Sequence, residues 1–429
     1  MWALGVGIVL VGDFMGWNLS FNAGGILAQL IGVCVISIMY ISQVFMISEM
    51  CLCQPQLGGQ YEIAKNIMGP LTAFNIAIMQ ILEYVMLEAG DVIVVGALVH
   101  FIFPTVSEIP ITISVLLLLT FINYMGAKFT LSVNFIVTAI ALSCIIALFF
   151  NVFLNDNNVN NYGTFLFKSN SAEFLDILSV LSVSCWFFLG VEGAVVIGKK
   201  CASPKRDIPL GILFSFITLF ISSLMTLYIC SNCLNMKEIA SSIYPLYDAA
   251  KSYCESQFGI LMFVATILAC LASANGCISD AASVLASLSK DELIPSMFER
   301  KHIKHSSFYR ALIVLFPIAL AFGITGLLDQ VVSFCIFSAL MIYLLTNVMI
   351  FVHRKKLINK QQLVYKCPFY PFLPIISIII NVIAIIGLSV KYPINVCSAI
   401  LFYIIISIWF TIFRNKKIVT TQNGRIPKK

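Results

Sequence analysis

Two short segments place an acid between glycines inside otherwise apolar runs: Gly12-Asp13-Phe14-Met15-Gly16 near the N-terminus, and Gly190-Val191-Glu192-Gly193 in the middle of the chain. Glycine weakens a helix by about 1 kcal/mol relative to alanine, so each segment is a place where a helix can open. An opened helix presents unpaired N–H groups on one half and unpaired carbonyls on the other. The first end attracts anions and the second attracts cations. Interrupted apolar helices at matching positions of two halves point to a transporter's binding site; the plainer reading is close helix–helix contact, which glycine serves equally well. Breaks are therefore expected at 12–16 and 190–193. The candidate substrate-binding residues there are Gly12, Asp13, Phe14, Gly16, Trp17, Trp186, Phe187, Gly190, Glu192 and Gly193. The aromatics could cover a substrate or stack on an ammonium, or simply pack against neighbouring helices and lipid.

Further acids stand inside apolar runs: Glu83, Glu88, Asp91 and Asp280, with Glu49 near the end of one run. A carboxylate in a membrane interior is costly unless neutralised or solvated, which makes each one a functional candidate. No Lys or Arg falls in the interior of a predicted span; Lys128, Lys199 and Arg310 stand at span ends. These acids must then meet protons, metal cations, water or a cationic substrate, or stay protonated and bonded to a neighbouring helix. Glu88 and Asp91 share a helix face at a spacing of three and join the candidate site. Glu83 lies about 140° around the helix from Glu88 and does not cluster with them. Asp13, Ser273 and Ser279 are the candidate ion-coupling residues, for H+ on the acid or for Na+ on oxygen donors. Serine hydroxyls at helix interfaces more commonly bond one helix to another.

Positioning such groups takes membrane helices. The 429 residues are 60% hydrophobic and 11% charged, against roughly 25% charged in soluble domains. Apolar runs reach the length of about 20 residues that crosses a bilayer. Twelve spans are predicted, at 2–17, 25–50, 70–103, 108–125, 128–154, 174–199, 208–234, 257–288, 309–327, 330–352, 370–390 and 393–413. No polar block is long enough to form a second domain, so residues 1–429 form one all-α polytopic membrane unit. Pro104 and Pro110 punctuate the third connection, and Pro55-Gln56-Leu57-Gly58-Gly59-Gln60 forms a flexible turn after the second span.

Of the 26 Lys and Arg residues, all but Lys168, Lys237, Lys251 and Lys391 fall on the side of the N-terminus when loops alternate. Basic loops stay inside, so both termini are expected in the cytoplasm of a plasma-membrane protein. The net charge of +6 is thereby topological, which argues against a nucleic-acid partner. The N-terminus lacks the basic region of a cleavable signal; its entry into a span without a polar tail is what a shortened chain would look like. The fourteen cysteines lie mostly in apolar runs, where Cys acts as a small hydrophobe. Neither Cys51/Cys53 nor Cys230/Cys233 has a second pair to complete the four ligands of a closed zinc site, so no metal is expected. A Cys233–Cys254 disulfide remains open from spacing alone.

Several motifs then fall in a familiar order. Phe187-Phe188-Leu189-Gly190-Val191-Glu192-Gly193 followed by Ser203-Pro204-Lys205-Arg206-Asp207-Ile208-Pro209 resembles the sixth span and following loop of the amino acid–polyamine–organocation superfamily. Ser48-Glu49-Met50 with Gly58-Gly59-Gln60-Tyr61, Asn123-Tyr124-Met125-Gly126 and Ser289-Lys290-Asp291-Glu292-Leu293-Ile294-Pro295 resemble further motifs of that family. Within it, the stretch from Gly5 to Asn18 is most similar to the ethanolamine-permease-like branch. The resemblance implies a leucine-transporter-type fold. Two inverted repeats of five spans, about 1–154 and 174–352, would be followed by two peripheral helices at about 370–413. It also implies a central site between unwound parts of spans 1 and 6. Two departures stand out. Asp13 occupies a position where many relatives carry a small residue, and Ala141 stands where some proton-linked members carry a lysine.

An acid near the N–H end of a break should repel a carboxylate and favour an amine that lacks one. Unit charges about 4 Å apart interact by about 4 kcal/mol at an effective dielectric of 20. The expected function is secondary transport of a small amine or amino acid by alternating access, with an ethanolamine-like amine favoured and no cofactor. If Asp13 instead serves a coupling ion or stays protonated, an ordinary amino acid permease or exchanger is the alternative. A membrane enzyme would want an interior His or metal cluster; a channel would want a polar pore lining. A receptor or nutrient sensor would want a larger signalling loop or tail. The implied partners are the small substrate and the lipid bilayer, with the oligomeric state left open.

Overall fold

A computed structural model describes residues 1–53, 59–154, 174–201, 203–253, 257–356 and 365–413, and among them there are helices and connections but no strand. The chain opens with α1 (Trp2–Val9) and α2 (Val11–Phe14), then a 3₁₀ turn, Trp17–Ser20. Next come α3 (Phe21–Cys53), the short α4 (Gln60–Ile67), α5 (Pro70–Ile102), α6 (Glu108–Tyr124) and α7 (Ala127–Leu154). After these, α8 (Phe174–Ser184) passes into 3₁₀ segments at Cys185–Phe187 and Val191–Lys200. The remaining helices are α9 (Pro204–Cys233), α10 (Met236–Ser241), α11 (Pro245–Tyr253), α12 (Gln257–Lys290), α13 (Tyr309–Gly323), α14 (Leu328–Lys356), α15 (Phe372–Lys391) and α16 (Pro393–Phe413).

Among the described residues, ten segments are long and apolar enough to cross a membrane. The predicted fourth and ninth spans form α6 and α13, which have 17 and 15 residues and fall short of about 20. Local chemistry stops them early. Gly126 follows α6 at φ +99°, where a Cβ would lie 2.2 Å from the His305 carbonyl of another loop. Past α13, the Thr325 hydroxyl bonds back to Phe322 O at 2.6 Å and Gly326 takes φ +66°. Conversely, α14 runs past its predicted limit of 352 to Lys356. Gly25, at φ 68° and ψ −165°, kinks α3 where the second span was expected to begin. Most of the turn expected at 55–60 lies outside the described residues, as does Cys254 of the candidate disulfide.

The packing explains the burial pattern. α5 lies between α12 and α14, while α1 packs on α7, α9 and α12. Small residues allow that approach: a Cβ on Gly5 would stand 2.7 Å from Ser215 Oγ of α9, and one on Gly7 2.6 Å from Thr138 Oγ1 of α7. Three asparagines join helices in the interior. Asn123 Nδ2 of α6 donates to Asn275 Oδ1 of α12 at 2.9 Å, and Asn275 Nδ2 donates to Asn134 Oδ1 of α7 at 2.6 Å. α16 turns Leu401, Ile404, Ile405 and Ile408 outward, as a helix against lipid does.

Candidate functional site

Both predicted breaks are present, the first narrower than its motif and the second beginning before its own, where α8 ends at Ser184. In the first, Gly12 and Asp13 are still helical: Asp13 N–H donates to Leu10 O at 3.1 Å, and Met15 N–H to Val11 O at 3.2 Å. The chain opens at Met15 (φ −155°, ψ 163°) and Gly16 (φ 85°). The expected break at 12–16 is thus confined to its last two residues. In the second, α8 passes through the 3₁₀ turn Cys185–Phe187, and the chain turns at Gly190 (φ +95°). Glu192 and Gly193 already belong to the following 3₁₀ segment. Opening stops there because each chain resumes helical hydrogen bonding as soon as the positive-φ glycine has redirected it.

The two breaks touch. Trp186 Nε1 donates to the free carbonyl of Met15 at 2.9 Å. A Cβ on Gly12 would lie 2.6 Å from Trp186 O, and one on Gly16 would lie 2.5 Å from Trp186 Nε1. Trp17 stacks on Phe187, with ring centroids 5.7 Å apart and an interplanar angle of 26°. Phe14, Trp17, Trp186 and Phe187 are all buried. Trp186, counted among aromatics that could cover a substrate, thus spends its polar edge joining one break to the other.

The acids separate into two neighbourhoods. Asp13 stands beside Ser222 and Cys230 of α9, and the Ser222 hydroxyl donates to Leu219 O instead. The single Tyr343 O–H of α14 is shared between the two carboxyl oxygens of Glu192, at 3.0 and 2.9 Å, with Glu83 of α5 close enough to interact electrostatically. The two acids paired by sequence therefore have different partners. Glu88 and Asp91 do come together, and Cys277 of α12 sits within the field of both and of Asp280. Ser273 stands beside Asp91 without completing a hydrogen bond. Ser273 and Ser279 do not converge, since six residues along a continuous helix separate them by about 9 Å. Both carboxyl oxygens of Asp13, Glu83 and Asp91 are buried without a hydrogen-bond partner among the described residues.

A cavity of about 450 Å³ opens between α4, α5, α6, α12 and the segment before α13. Ser279, Asp280 and Ser283 of α12 line it, together with Gln80 of α5 and Lys290 and Lys301 towards the connecting loop. Asp280 joins this cavity to the second break, because a Cβ on Gly193 would lie 2.7 Å from Asp280 Oδ2 and 3.3 Å from Tyr84 OH. Asp280 counts among the interior acids in the sequence but not among the candidate site residues, and it is the structure that brings it against the second break. Tyr343 carried no mark in the sequence.

The amino acid permease family matches residues 1–425. The chain belongs to that family. An uncharacterized transporter of Rhizobium meliloti (strain 1021) is 35% identical over 426 residues, covering 98% of this chain and 91% of the relative. A branched-chain amino acid permease of Bacillus subtilis (strain 168) is 20% identical over 362 residues, covering 80% and 77% respectively. This permease is accordingly a transporter of the amino acid–polyamine–organocation superfamily and not an enzyme.

One expectation fails in the permease. Glu49 has a basic partner: Arg354 Nε and Nη2 donate to Glu49 Oε1 and Oε2 at 2.8 and 2.6 Å. A tenth span ending at 352 places Arg354 in a loop, and the longer α14 carries it inward. Cys367 N–H adds a third bond to Glu49 Oε2 at 2.5 Å, and the guanidinium lies 3.7 Å from the Tyr370 ring centroid. At α4, Tyr61 OH donates to Asp291 Oδ2 at 2.5 Å while Lys65 pairs with Asp291 Oδ1. Burial, followed by Asp291 beside it, raises the Tyr61 hydroxyl, so it stays protonated as a donor.

Proposed function

We propose that this permease is a secondary transporter that moves a small amine by alternating access, with both termini cytoplasmic in a plasma membrane. The observation that carries the amine is Asp13, whose two buried oxygens lack hydrogen-bond partners among the described residues, next to an opened helix. A carboxyl so placed is neutralised by a proton or by a cation brought to it. Glu83, Glu88, Asp91 and Glu192 add acid around α5 and the second break, and the bonds found for these groups involve no lysine or arginine. An ethanolamine-like ligand fits that excess. A zwitterionic amino acid is the second reading, favoured by the name of the Bacillus subtilis relative. The substrate would lie against Gly12, Asp13, Phe14, Gly16 and Trp17 on one side, and Trp186, Phe187, Gly190, Glu192 and Gly193 on the other. Glu88 and Asp91 would be within reach from α5. H+ or Na+ would drive the cycle, with Asp13, Ser273 or Ser279 as its handles. The two halves, 1–154 and 174–352, would move as inverted repeats beside the peripheral helices of 370–413.

Asp13→Asn preserves shape and removes charge. Ethanolamine uptake into proteoliposomes should fall tenfold or more, the equivalent of at least about 1.4 kcal/mol, while alanine uptake is spared or raised. Wild-type ethanolamine uptake by this variant would sink the amine reading in favour of the zwitterion. Glu192→Gln should slow both substrates, because Tyr343 then loses the carboxyl acceptor that holds the second break.

A further inference from the structure

Resting on that transport reading, we propose that the cavity beside α12 is a second binding station for the substrate's ammonium, formed by the Asp280 carboxyl and the Gln80 amide oxygen. Its volume of about 450 Å³ lies within the roughly 300–1,000 Å³ of small-molecule sites. Gln80 is 2% exposed and lines the cavity; its Nε2 donates to Gln60 Oε1 at 3.0 Å, while its Oε1 has no hydrogen-bond partner among the described residues. Buried polar atoms are normally paired, so an unpaired carbonyl oxygen on a cavity-lining side chain is a place for a donor. Asp280 is 1% exposed and touches both this space and Gly193 of the second break. It is the group common to the two. A cation leaving the breaks reaches a carboxyl before it reaches water.

The rest of the lining suits passage over tight retention. Ser279, Ser283 and Ser287 follow one another at intervals of four along α12, and all three line the space. The hydroxyls of Ser283 and Ser287 donate to the carbonyls of Ser279 and Ser283 at 2.8 and 3.0 Å. Each keeps lone pairs that can accept from an ammonium. The outer lining mixes Lys290 and Lys301 with Glu62 and Glu299, so neither sign closes it to a small ion. An ammonium has three donors; the Asp280 carboxyl, Gln80 Oε1 and a serine oxygen supply acceptors for them.

Ser283→Cys puts a thiol in this path. The full-length variant is treated with 2-aminoethyl or 2-sulfonatoethyl methanethiosulfonate, and modification of the peptide that carries the new thiol is followed by mass spectrometry. The ratio of cation to anion rates should exceed that of a small thiol in solution at least tenfold. Ethanolamine should slow the cationic reagent, and adding Asp280→Asn or Gln80→Leu should each reduce the excess. Two variants guard against one failing to fold. A ratio equal to that of the solution thiol, or an excess unchanged in both variants, overturns the proposal. Uptake by the wild-type protein is measured separately: absent uptake with an intact charge preference would sink the transport reading and leave the cation site standing.

Discussion

Gly12→Ala is expected to reduce uptake by up to about a hundredfold while leaving a folded protein in the membrane. Gly12 is helical, so alanine suits its backbone, and the local effect on helix stability is favourable by about 1 kcal/mol. The obstacle lies across the junction: the new methyl would stand 2.6 Å from Trp186 O and 3.4 Å from Phe187 Cα. Both are backbone atoms, and neither can rotate aside. Relief requires the two breaks to separate, which strains the bond from Trp186 Nε1 to Met15 O. Overpacking of this kind costs about 1–3 kcal/mol, or roughly a hundredfold at the upper end. Gly90→Ala on α5 is the control. Its methyl would meet Leu328 Cδ1 and Val331 Cγ1 at 3.7 Å, an ordinary contact, so uptake should be unchanged. Initial rates at equal membrane expression decide the matter, and wild-type uptake by Gly12→Ala would mean that apposition of the breaks is irrelevant to transport.

Arg354→Met is expected to destabilise the protein by roughly 3–5 kcal/mol, the loss typical when one partner of a buried ion pair is removed. The Glu49 side chain is fully buried, and Arg354 is 20% exposed. Methionine fills much of the arginine's volume, so the loss is mainly that of leaving Glu49 uncompensated. The Cys367 N–H would remain as a single neutral donor. Adding Glu49→Gln should recover part of the stability, because the orphaned charge disappears. Thermal unfolding of the detergent-solubilised single and double variants measures this. A single variant that unfolds with the wild type would show that the pair contributes nothing.

The membrane class, ten of the spans and the place of both openings were legible in the sequence because they depend on local properties. Long apolar runs have one stable solution in a bilayer, in which each helix satisfies its own backbone. Positive φ at Gly16 and Gly190 is a demand that glycine meets and most residues do not. The pairing of Glu49 with Arg354 was not legible, since it joins residues far apart in sequence and depends on α14 continuing past 352. The same holds for the placement of Asp13 beside α9, of Glu192 against Tyr343, and of Asp280 at the meeting of cavity and break. Spacing along one helix fixes which residues share a face; which other helix that face meets is decided by packing among helices. Only the tertiary structure determined that, because close-packed helices have few arrangements that bring small residues such as Gly5, Gly7 and Gly12 against their neighbours.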